Sequence, residues 1–135
     1  MKTILEIPVR STEVDLYGHV NNAKYLEYLE WGREEWYREA GFTFTGLAGQ
    51  NIGTVTVNIN IDYLGECRIG DLLMIETAPE KIGKSSFVLL QEIFKKENYE
   101  KVISARVTTV IIDLEKRKSI PIPGELLRYL QAADL

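Results

Sequence analysis

The chain has one cysteine, Cys67, one histidine, His19, and four prolines in 135 residues. A single cysteine excludes a framework of intrachain disulfides and fits a reducing compartment. With one histidine as well, a zinc site built from those ligands is excluded, so no metal is expected. A Ser–His–acid triad would have to use His19, yet no serine stands in a nucleophile-elbow motif. No glycine-rich loop joins a strand to a helix, which removes the usual phosphate cradle, and no cofactor is expected. No apolar run approaches a membrane span, and MKTILEIPVRST lacks the apolar core and cleavage site of a signal peptide. The expectation is a cytoplasmic protein. With 16 Lys and Arg against 20 Asp and Glu, the net charge of −4 argues against nucleic-acid or acidic-membrane partners. A 45% hydrophobic content over this length fits one domain, residues 1–135, with a real core.

What is present is organised around Glu13 to Gly41, EVDLYGHVNNAKYLEYLEWGREEWYREAG. From Asn22 to Ala40 there is no proline, and the only glycine is Gly32. The stretch predicts a long helix, with Asn21 or Asn22 as N-cap and Gly41 as a left-handed exit. At about 100° per residue, Tyr25, Leu26, Leu29, Trp36, Tyr37 and Ala40 share one face, with Lys24, Glu27, Glu34 and Arg38 opposite. Arg33 breaks the apolar face; its stem is expected on the core with its head paired to Glu30. Trp31 breaks the polar face and is expected under a loop or, preferably, at a subunit contact.

Strand patterns fill most of the remainder. Lys2 to Arg10 alternates loosely, with Pro8 tolerable near an edge or end. Phe42 to Gly53 is a linker with a short turn. From Thr54, Val55, Val57, Ile59, Ile61 and Tyr63 alternate with polar residues, predicting a half-buried strand. After a turn at Gly65 to Asp71 come strands at Leu72 to Ile82, Ser86 to Lys96 and Val102 to Asp113. Gly83 to Ser85 and Lys96 to Glu100 are the connections between them. Glu115 to Lys118 is a basic turn, Ile120 to Gly124 stays extended because of its prolines, and Glu125 to Ala133 is a terminal helix. Short connections imply antiparallel pairing, and the long helix is the element large enough to cover a sheet face. The fold class is therefore α+β, an antiparallel sheet wrapped around one long central helix. Its open edges invite pairing with a second copy.

The chemistry belongs where the polar loop Asp15-Leu16-Tyr17-Gly18-His19-Val20-Asn21-Asn22 meets the helix. An acid just before a helix start feels the positive end of the helix dipole. Unpaired N–H groups at that end can grip a carbonyl oxygen or an oxyanion. Together they would make a minimal acyl-transfer site, although Asp in such a loop is also a common turn or capping residue. Cys67, beside Arg68, is either a reactive thiolate or a bystander.

At these residues the chain resembles the 4-hydroxybenzoyl-CoA thioesterase-like branch of the hotdog-fold acyl-CoA thioesterases. VDLYGHVNNAKYLEYLEWGREEW is similar to that family's motif of an Asp, a Gly three residues on, His-Val-Asn-Asn, and a helix with Tyr, Glu and Arg. IDYLGECRIGDLLMIET and KIGKSSF resemble its later strand pair and hairpin. The resemblance implies a hotdog fold, a homodimer or dimer of dimers, active sites at the subunit interface, and an acyl-CoA substrate. It implies Asp15 as the catalytic carboxylate, nucleophile or general base, and the backbone N–H near Asn22 as the donor to the thioester carbonyl. His19 is implied as support for Asp15 or the loop, Tyr25 as a pocket wall or plain core, and Lys84 and Ser85 as contacts to the CoA phosphates. Arg117 and Lys118 match such contacts more loosely. Two readings stay open beside hydrolysis: a hydratase or dehydratase acting on an enoyl or hydroxyacyl thioester, and a non-catalytic acyl-thioester-binding module. No proline lies near His19, which counts against the hydratase.

Overall fold

β-branched and aromatic residues recur through the chain after residue 51, and that stretch builds most of one curled antiparallel sheet around a single long helix. The computed structural model describes residues 1–132. In chain order the elements are β1 (Thr3–Pro8), a single 3-10 turn (Ser11–Glu13), α1 (Asn22–Glu39), α2 (Phe44–Gly49), β2 (Ile52–Tyr63) and β3 (Leu72–Ile82). They continue with β4 (Ser86–Lys95), β5 (Lys101–Asp113), β6 (Lys118–Ser119) and α3 (Gly124–Gln131). The sheet order is β1-β3-β4-β5-β2, with β6 pairing on β5. Ala133, expected in the terminal helix, lies outside the described residues.

The consecutive strands β2 and β3 are not neighbours. Among the described residues β2 pairs only with β5, while β3 lies between β1 and β4, so the connection after Tyr63 crosses the end of the sheet. The short-connection rule therefore holds for β3-β4-β5 and fails there. Register shifts at Thr56/Asn58 in β2 and Pro79/Lys81 in β3 add the local twist that curls the sheet. Pro79 is tolerated because β1 stops at the Thr3–Thr77 pair, leaving β3 an edge beyond it.

α1 starts where the Asn21 side chain accepts from the Ala23 N–H (2.9 Å) and ends before Gly41, whose φ is +87°. Its buried face is Tyr25, Tyr28, Leu29, Gly32, Trp36 and Tyr37. The expected face is thus corrected: Tyr28 is fully buried and Leu26 is exposed. Tyr28 can be buried because its hydroxyl donates to Glu13 Oε1 (2.9 Å), a buried carboxylate from the preceding loop. Trp31 is half-buried on its own chain, its ring 5.4 Å from that of Tyr28.

At its midpoint α1 nearly touches the sheet: a Cβ on Gly32 would sit 2.6 Å from Ile75 Cγ2. Buried Gln91 of β4 fills the space beside it, its Nε2 donating to Leu29 O and Thr77 Oγ1 (both 2.9 Å). Arg33 Nη1 donates to Gln91 Oε1 (3.0 Å), which replaces the expected pairing with Glu30. This polar node separates two apolar clusters, one under Tyr25, Tyr28 and Leu29 and one under Trp36 and α3.

Two further corrections concern the middle of the chain. The glycine- and threonine-rich linker contains α2, capped by Thr43 Oγ1 accepting from the Gly46 N–H (2.9 Å). β2, expected to be half-buried with one apolar face, has that face broken by its register shift: Val55 pairs with Val110 and Ile59 with Val107, so the two lie on opposite faces, and Val57 at the shift is 56% exposed. β2 is an edge strand, paired by β5 on one side, with α2 packed against its start.

Candidate active site

The loop before α1 is fixed by its own backbone. The Val14–Val20 bridge closes it, the Asp15 N–H donates to His19 O (2.8 Å), and Gly18, at φ +79°, supplies the left-handed turn. Asp15 Oδ1 accepts from the N–H groups of Tyr17 (2.9 Å) and His19 (3.2 Å). This is the local side-chain-to-backbone bonding that short acids favour in turns. It fixes the carboxylate while leaving it accessible to solvent. Leu16 and Tyr17, at the loop tip, are 102% and 82% exposed.

Asp15, His19, Asn22 and Tyr25 line one open cleft of about 360 Å³, with Tyr63 to Glu66 opposite. Asn22 is the first helical residue, and its N–H meets no acceptor among the described residues. Its carbonyl accepts from the Tyr63 hydroxyl (3.3 Å), tying the helix start to the end of β2. The cleft therefore joins a carboxylate to a free amide at the positive end of α1.

The other expected residues divide. His19 holds Asp15 through its backbone N–H, while its ring turns to Glu66, Nε2 to Oε2 3.4 Å. Tyr25 is both core and wall: it is 3% exposed, lines the cleft, and its hydroxyl accepts from the Cys67 N–H (3.2 Å). Burial, reinforced by the Cys67 contact, pushes its phenol well above the usual range, so it stays protonated. Cys67 is fully buried and burial pushes its thiol up, which makes it a bystander. Lys84 and Ser85 sit in the β3–β4 hairpin, where their carbonyls accept from Ile122 and Ile111 (2.9 and 2.8 Å). One chain does not bring them to the Asp15 cleft; the Ser86–Val110 and Val55–Val110 pairs place them at the opposite end of β2. Glu13 escaped the sequence reading, although Glu three residues after Arg10 is the spacing of a capping interaction. Its Oε1 accepts from the Arg10 N–H (2.9 Å).

Residues 9–130 match the model of the family described as the thioesterase-like superfamily. The chain belongs to the thioesterase-like superfamily. This thioesterase is 36% identical over 126 residues to the long-chain acyl-CoA thioesterase FadM of Escherichia coli (strain K12), covering 93% of this chain and 95% of that protein. The crystal structure of YbaW from Escherichia coli matches with a TM-score of 0.83 at 36% identity, covering 95% and 96% of the two chains. A 1,4-dihydroxy-2-naphthoyl-CoA thioesterase from Synechocystis gives a TM-score of 0.90 at 20% identity, covering 96% of each chain, and shows the shared fold. The fold is the hotdog fold, and the chemistry of the family is thioester hydrolysis. Hydrolysis thus takes precedence over the hydratase and binding-module readings. Among the described residues no helix is long and apolar enough to cross a membrane, and no group of three His, Cys, Asp or Glu could hold a metal ion.

Proposed function

We propose that this thioesterase hydrolyses acyl-CoA, with Asp15 and the Asn22 N–H as its working pair. One observation carries the reading: Asp15 and the free Asn22 amide line the same cleft at the start of α1. The amide accepts the thioester carbonyl oxygen and stabilises the charge that develops on it. The Asp15 carboxylate either attacks the carbonyl carbon, expelling the CoA thiolate and leaving an anhydride for water to open, or takes a proton from an attacking water. The acyl-CoA substrate is supported by the name of the relative that is 36% identical over nearly the whole chain.

The assembly proposed is a homodimer or dimer of dimers in which β2 pairs with its copy. Exposed Val55, Val57 and Ile59 on an unpaired edge support this. Pairing of that kind carries the Lys84–Ser85 hairpin toward the partner's cleft, where both could meet the CoA phosphates. His19 and Tyr25 are assigned support of the loop and of the cleft wall. The working unit proposed is one domain, residues 1–135, in the cytoplasm.

CoA release followed with a thiol-reactive dye tests the assignment. Asp15→Asn should lower kcat by about 10²–10⁴-fold while leaving the fold and KM near wild type. Turnover undiminished in that variant overturns it.

A further inference from the structure

A second cavity, also about 360 Å³, lies between α1, α2, β2 and β5. Phe44, Leu47, Ile52 and Leu114 make much of its wall apolar. Tyr37 also lines it, is 3% exposed, and its hydroxyl has no hydrogen-bond partner among the described residues. The Thr54 and Thr109 side chains lie beside that hydroxyl, but neither reaches hydrogen-bonding geometry. Arg33 reaches the same wall, and burial lowers the pKa of its guanidinium, with nearby Glu30 opposing the shift. Arg33 is already met by Gln91 Oε1, so the unmet group is the buried phenol, which is costly unless something accepts from it. Glu30, exposed at the rim, offsets the charge of Arg33, so the cavity suits an uncharged oxygen better than a carboxylate.

Within one chain this cavity flanks Ile52 to Thr56 while the Asp15 cleft flanks Tyr63 to Glu66. At ~3.3 Å per residue the ends of β2 are on the order of 35 Å apart, too far for one acyl group. Two-fold antiparallel pairing along the whole strand removes that distance. The axis then passes between Val57 and Asn58, and Tyr63 of one copy faces the partner's Ile52. Each Asp15 cleft would open onto the partner's cavity.

We propose that this cavity receives the acyl group of a thioester held at the partner's Asp15, and that the preferred acyl group carries a keto or hydroxyl oxygen that accepts from Tyr37. The inference rests on the hydrolysis and the β2 pairing proposed above. An alkyl tail would fill the apolar wall but leave the phenol unmet. A site built to hydrogen-bond a substrate oxygen discriminates strongly against the analogue that lacks it.

The test compares kcat/KM for octanoyl-CoA with its β-keto and ω-hydroxy counterparts. At least one oxygenated ester should exceed octanoyl-CoA by about tenfold or more, and Tyr37→Phe should shrink that ratio to about twofold or less. Preference for octanoyl-CoA, or a ratio unmoved by Tyr37→Phe, overturns the proposal. Thr54→Val gives a second reading should Tyr37→Phe fold poorly: it should lower the same ratio, and no change counts against the cavity. Mixed dimers test the crossing between subunits. An equimolar mixture of Asp15→Asn and Tyr37→Phe chains should regain about a quarter of the wild-type activity on the oxygenated ester, because half the dimers carry one intact site. No gain over the unmixed variants means the cavity serves its own chain and sinks the crossing. No CoA release from any of the three esters sinks the acyl-CoA hydrolase reading first, and this proposal with it.

Discussion

β1 and β2 are the two outer strands of one sheet, and they finish it in opposite ways. β1 is six residues long, ends in Pro8, and carries a Glu6–Lys96 ion pair (3.0 Å) on its exposed side. Beside it, buried Glu76 of β3 accepts from Lys2 Nζ and the Tyr99 hydroxyl (both 2.5 Å). β2 is twelve residues long, contains no proline and a single charged residue, Asp62, and shows Val55, Val57 and Ile59 to solvent. Short length, proline and charge are the devices by which edge strands avoid further pairing. β1 is short and carries a proline, β2 has neither feature, and the single charge of each lies mid-strand in β1 but at the far end of β2. The contrast teaches that edges of one sheet can differ in kind: one is a closed boundary, the other the surface proposed above to pair with a second copy.

Charging the open edge should have the largest effect. Val57→Lys is expected to halve the mass seen by analytical ultracentrifugation and to cut CoA release by about 10²-fold, since the proposed site between subunits would lose its alignment. The mirror change on the other edge, Ile4→Lys, should alter neither quantity. A dimer that survives Val57→Lys removes the distinction between the edges.

A smaller effect is expected from loosening the closed edge. Glu76→Gln should lower stability by about 1.5–3 kcal/mol, the range for hydrogen bonds to a charged group, while mass and kcat stay unchanged. It should also change the alkaline limb of the stability curve. The hydrogen bond with Glu76 raises the pKa of both Lys2 and Tyr99. Groups with raised folded-state pKa values stabilise fully below their unfolded values, 10.5 and 10.0, and lose that contribution as pH rises through the folded values. Melting temperatures from pH 8 to about 12 should therefore fall less steeply in Glu76→Gln. An identical slope refutes the assignment.

The smallest effect concerns the clip at the start of β2. Asp113 is held below its usual value by the Lys116 N–H, with the Asn51 side chain assisting (3.0 Å). A depressed carboxylate stabilises above its unfolded pKa of 3.8 and loses that contribution as pH falls through the folded value. Asp113→Asn should flatten the acid limb slightly, with little change at neutral pH; an unchanged acid limb argues against the clip.

What the sequence disclosed depended on how local the cause was. The Asp15 loop was legible because its bonds run over a few residues and use the turn chemistry of Asp and Gly. The helix bounds were legible from Asn21 and Gly41. The face of α1 was misread around Tyr28, because its burial depends on Glu13, fifteen residues away, rather than on hydrophobicity. Arg33 was misassigned because its partner Gln91 is 58 residues distant. Gly32 stood out as the one glycine in the helix, but its purpose is visible only with Ile75 in place. α2 was hidden by two glycines within a six-residue helix, Gly46 and Gly49. For β2 the alternation marked a strand but not a single apolar face, because the register shift between Thr56 and Asn58 moves Val55 and Ile59 to opposite sides and nothing in the periodicity announces it.

Glu13 carries one last consequence. Its carboxylate receives both the Arg10 N–H and the Tyr28 hydroxyl, so the segment bearing Asp15 is bolted to the second turn of α1. In the proposed dimer, loop and helix would then move together if the two copies shift against each other. Breathing of the assembly would alter how far a bound tail can reach, while the spacing between acid and amide stays constant.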